Sequence, residues 1–71
     1  MATQDLQHLV SEQPRVMVVD GSKLVRKLIG DVMRTELPEA QVIACGGLQE
    51  AEATLAEAPV DLVTTALVLP D

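Results

Sequence analysis

Three short features of the sequence carry groups that could do chemistry. Asp20 closes the apolar run RVMVVD and is followed at once by Gly21 and Ser22, Cys45 closes QVIAC, and Lys23, Arg26, Lys27 and Arg34 fall within one stretch. A strand, a glycine-serine turn and a helix in that order can cradle a phosphate, because the first N–H groups of a helix are unpaired and its dipole favours an anion. The turn has the spacing of neither a Walker loop nor a dinucleotide fingerprint, so nucleotide or phosphate binding at Gly21-Ser22 stands as an alternative and not as the leading reading. One cysteine cannot form an internal disulfide or a metal cluster, and Cys45 after QVIA reads as a small buried thiol. The basic stretch reads first as a solvated helix face and second as a docking patch.

Composition narrows the partners. A net charge of −6 opposes nucleic-acid binding, which needs a basic surface to neutralise phosphates. There is no Phe, Tyr or Trp, which removes the stacking platforms of single-strand binders and leaves an aliphatic core. Apolar residues make up 48% of the chain, too many for a disordered segment. No apolar run approaches the roughly 20 residues of a membrane span. The start, MATQDLQHLVSEQP, carries acids and polar residues where a secretion signal has a basic start and an apolar stretch, so the expectation is a cytoplasmic protein without membrane contact. With 71 residues the chain has room for one small domain.

Periodicity supplies the elements that must position these groups. Thr3 can cap a short helix carrying Leu6, Leu9 and Val10, so residues 1–14 read as an N-terminal helix or extension. Residues 15–20 read as a first strand. Ser22 can cap a helix in which Leu24, Val25, Leu28, Ile29, Val32 and Met33 form an apolar stripe, closed by Pro38. Gly30 within it costs about 1 kcal/mol relative to alanine, which suggests a close approach to the sheet. Residues 41–45 read as a second strand, 48–58 as a second helix with Leu48, Ala51, Leu55 and Ala58 on one face, and 60–69 as a third strand. The order β-α-β-α-β implies an α/β fold with parallel strands joined by right-handed crossovers over residues 15–71. With strand order 2-1-3 the first and third strands meet at a topological switch point, where ligands bind beyond the carboxyl ends. That places Asp20, Gly21 and Ala66 at the candidate site.

At these residues the sequence resembles the receiver domain of two-component response regulators, the CheY-like family with a flavodoxin-like fold. RVMVVDGSKLVRKLIGDVM looks like the family's first strand and helix, GGLQEAEATLAEAPVDLV keeps step with its second helix, and DLVTTALVLPD resembles its third strand and the proline-containing loop after it. The resemblance covers residues 15–71 and ends after the third strand.

The resemblance implies a degenerate site. A receiver phosphorylates its own aspartate, and neighbouring carboxylates hold the Mg²⁺ that offsets the repulsion between two anions. Of the three acids this requires, Asp20 matches the first, Gly21 replaces the second and Ala66 replaces the phosphoacceptor. Thr64 and Thr65 lie too early in the strand to stand in. Asp71 reads as part of the turn after Pro70. The expectations are therefore no catalytic residue, no cofactor, no bound metal and no enzymatic activity. The chain is either the first part of a response regulator whose output activity lies in an absent C-terminal part or a stand-alone half receiver. In the second case the third strand offers an open apolar edge, a template for pairing. That points to a homodimer through Val63, Thr65, Leu67 and Leu69, or a domain swap, since a chain this small usually needs a partner. The leading reading is a non-phosphorylatable pseudo-receiver in a signalling protein, acting through self-association and contact with a signalling partner.

Overall fold

The computed structural model describes residues 13–71, and the helix expected over residues 3–12 lies outside them. Five elements follow one another: β1 (Arg15–Val19), α1 (Lys23–Glu36), β2 (Gln41–Cys45), α2 (Leu48–Glu57) and β3 (Leu62–Thr65). The strands form one parallel sheet in the order β2-β1-β3, the α/β half-flavodoxin-like arrangement expected. Among the described residues no helix is long and apolar enough to cross a membrane.

Among the described residues β1 is the one strand paired on both edges, and its residues from Val16 to Val19 are apolar on both faces. Val16, Met17, Val18 and Val19 are all buried, between β2 and β3. Its alternation divides the core. Met17 and Val19 cluster with Cys45 and Ala51, joined by Ile43, Val60 and Leu69, on the α2 side. Val16 and Val18 point the other way, toward α1, because successive strand residues face opposite sides. Both helices pack on β1 and β2, and among the described residues neither packs on β3.

α1 begins where the sequence places its cap. The Ser22 hydroxyl accepts from the Val25 N–H at 3.3 Å, and at the far end the Leu37 N–H donates to the Met33 carbonyl ahead of Pro38. The apolar stripe is only half used. Val25, Ile29 and Met33 are half-buried against the sheet, whereas Leu24, Leu28 and Val32 stand 66%, 56% and 55% exposed. The stripe is wider than the two strands α1 covers. Gly30 is buried, but what a Cβ there would meet is the Arg34 guanidinium at 3.1 Å, so the close neighbour is a flexible side chain of the same helix and not the sheet.

The largest departure from expectation is the third strand. It runs from Leu62 to Thr65, not from Val60 to Leu69. The cause lies in its partner: β1 ends at Val19, whose carbonyl accepts from the Ala66 N–H at 3.0 Å, and beyond that bond there is no strand to pair with. Leu67 and Val68 then swing out, 104% and 84% exposed, and Leu69 turns back into the core cluster. Of the four expected interface residues, Val63 and Thr65 stay on the exposed strand, Leu67 sits in the loop and Leu69 is half-buried.

Candidate functional site

The carboxyl ends of β1 and β3 lie side by side, with Val19 in register with Thr65. Asp20, Gly21 and Ala66 are thereby brought to one edge of the sheet, as the topology requires. What surrounds each of them decides what the edge can do.

Asp20 shapes the turn from β1 into α1. Its Oδ1 accepts from the Ser22 N–H at 2.8 Å, a local bond that holds Ser22 in position to cap the helix. Its backbone carbonyl accepts from Arg26 Nη1 at 2.7 Å, and its N–H donates to the Cys45 carbonyl at 3.0 Å. Two donors of the Gly21-Ser22 turn, the N–H groups of Ser22 and Val25, are thus already engaged by this chain's own oxygens.

Gly21 is exposed, yet there is little room above it. A Cβ there would lie 3.0 Å from Pro70 Cδ and 3.4 Å from Pro70 Cγ. The pyrrolidine ring is rigid, so an acid at this position would have to move the loop that carries it. Ala66 is half-buried, and its carbonyl accepts from the Thr65 hydroxyl at 3.0 Å. Thr64 Oγ1, paired in register with Val18 further down the strand, is buried without a partner among the described residues.

The loop after β3 closes this edge. Leu69 enters the core, Pro70 covers Gly21, and Asp71 reaches across to the start of α2. There the Asp71 carboxylate accepts from the Leu48 N–H at 2.6 Å and the Gln49 N–H at 3.0 Å. These two bonds, Gln49 foremost and then Leu48, hold its carboxyl below the ordinary value of 3.8. Gly47, the residue at the N-cap position, has no side chain to cap with, and a Cβ there would lie 2.5 Å from Asp71 Oδ1. Asp71 therefore does more than complete a turn, because it caps a helix from 23 residues away. The signal in the sequence was a helix start with glycine where Ser, Thr, Asp or Asn is usual.

Cys45 is buried, with Sγ 3.5 Å from Thr54 Oγ1, in keeping with a small thiol in the core. Among the described residues no three of His, Cys, Asp or Glu gather where they could hold a metal ion. Set against models of protein families, curated proteins and solved structures, the chain finds no significant match in any of the three comparisons.

Proposed function

We propose that this chain is a receiver-like module without phosphoryl chemistry, working in the cytoplasm of a signalling system through contact with proteins, most simply a second copy of itself. The observation that carries the reading is how the carboxyl-end edge is occupied. Asp20 is engaged by the turn it forms, Pro70 covers the position of the second acid, and the acceptor position is Ala66. Alanine offers no nucleophile, and a lone carboxylate supplies one ligand where Mg²⁺ favours a near-octahedral oxygen shell.

The contact surface in this reading is the outer edge of β3. Among the described residues that strand pairs only with β1, and Leu62 and Val63 are each 45% exposed. Its outer N–H and C=O groups, unpaired among the described residues, offer a ladder to a second strand, and a two-fold axis beside it would join two sheets into one. The strand is shorter than its apolar run suggested, so the contact rests on Leu62–Thr65 and the neighbouring Leu67 and Val68.

Incubation with acetyl phosphate and Mg²⁺, followed by intact-mass measurement, tests the first half of the proposal. The expected spectrum shows no phosphoprotein, and a stoichiometric phosphoryl adduct overturns the reading. Sedimentation at micromolar concentration tests the second half: a dimer is expected, and a well-folded monomer removes self-association.

A further inference from the structure

The basic residues of α1 line a concavity beside the candidate site, to which only Arg26 of the four is tied, through the Asp20 carbonyl. A cavity of about 420 Å³ opens between α1 and the carboxyl end of β2, walled by Lys23, Arg26, Lys27 and Arg34, with Ala44 and Gly46 among its lining. Lys23, Lys27 and Arg34 fall on one face of α1, at offsets of four and seven, and span roughly 16 Å at 1.5 Å per residue. Ala44 and Gly46 have small or no side chains, so the space is left open rather than filled. In a chain of net charge −6, four of the five cations face this one groove.

The groove is short of anions. Asp31 is shared between Lys27 at 3.0 Å and Arg34 at 3.3 Å. The other carboxylate, Glu50, accepts from the Gly46 N–H at 3.1 Å. Lys23 and Arg26 have no carboxylate partner among the described residues. Arg26 is half-buried and held by the Asp20 carbonyl through one N–H, which fixes the guanidinium while its other donors remain for a ligand. Four cations against two carboxylates leave an excess of two positive charges, and no acid in the first turn of α1 offsets it.

We propose that this groove binds a dianionic phosphate group of a small ligand, with Arg26 and Lys23 as direct contacts and Lys27 beside them. An excess of two charges matches a phosphate dianion, and a fixed guanidinium fork fits its oxygens. The proposal does not rest on the receiver reading, since it uses neither the Asp20 carboxylate, Gly21 and Ala66 nor the β3 edge.

The test is a titration of the ¹⁵N-labelled chain at fixed ionic strength with inorganic phosphate, pyrophosphate and citrate. Saturable shifts are expected at the amides of Lys23, Arg26, Ala44 and Gly46 with phosphate and pyrophosphate, the latter tighter if the ligand is an oligophosphate. Lys23→Gln with Lys27→Gln should weaken the binding by at least about tenfold without lowering the melting temperature. Shifts that fail to saturate, that move Leu48 and Gln49 or Gly21 and Ser22 instead, or that survive the double replacement overturn the proposal. Citrate binding as tightly as pyrophosphate overturns the choice of phosphate.

Discussion

β1 and β3 both read as buried strands in the sequence and are opposite as structure, although β3 differs in carrying Thr64 and Thr65. VMVV in β1 is buried to the last side chain, whereas LVTT in β3 is mostly exposed and, among the described residues, pairs along one edge. Besides those two threonines, what separates them is the number of neighbours. β1 lies between two strands and beneath two helices; β3 borders one strand and no helix packs on it among the described residues. An apolar run therefore reports that a strand is fit for burial. Its neighbours decide whether it is buried.

The sharpest way to break this comparison is to truncate one residue in each strand. Met17→Ala, at the buried centre, should cost about 2–5 kcal/mol, while Val63→Ala on the exposed strand should stay below about 1 kcal/mol, both read from urea unfolding midpoints at unchanged slope. Equal costs would mean that β3 is as much a core strand as β1.

The two strands also end differently. β1 closes in a local turn, Asp20 onto Ser22 and Ser22 onto Val25, so Ser22→Ala should lose about 1 kcal/mol by the same assay. On the edge itself, Val63→Lys should change the stability of the monomer by no more than about 0.5 kcal/mol and abolish association in sedimentation. An unchanged dimer would move the contact away from β3.

The end of β3 depends on a charge. The Asp71 carboxyl lies below its ordinary 3.8 in the folded chain, so its ionised form favours the closed loop above that value. This contribution is lost as pH falls through the lowered folded value. Hydrogen exchange at the Leu48 and Gln49 amides should therefore accelerate on acidification below pH 3.8, relative to the amides of α1, and Asp71→Asn should weaken that pH dependence. Exchange that keeps the same ratio in both proteins would contradict the cap.

Most of the fold was legible because its signals are local. The period of the apolar residues, Ser22 ahead of α1, Gly46-Gly47 ahead of α2 and the alternation of strand with helix led to the element order β-α-β-α-β, and the strand order β2-β1-β3 came with the doubly wound arrangement expected of it. The extent of β3 was not legible, since it is fixed by where β1 stops. Nor was the division of α1 into a packed row through Ile29 and an exposed row through Leu28, which depends on how many strands lie beneath the helix. Of the site, the meeting of Asp20, Gly21 and Ala66 followed from topology. The closing of that edge by Pro70 and Asp71 did not, because both partners come from positions remote in sequence.

The central proposal, that the carboxyl-end edge carries no phosphoryl chemistry and is closed by the chain's own loop, is tested most directly by titrating the ¹⁵N-labelled protein with fluoroberyllate and Mg²⁺. The expected result is no saturable shift at the amides of Asp20, Gly21, Ala66 or Asp71. Saturable, Mg²⁺-dependent shifts at Asp20 and Ala66 would contradict it.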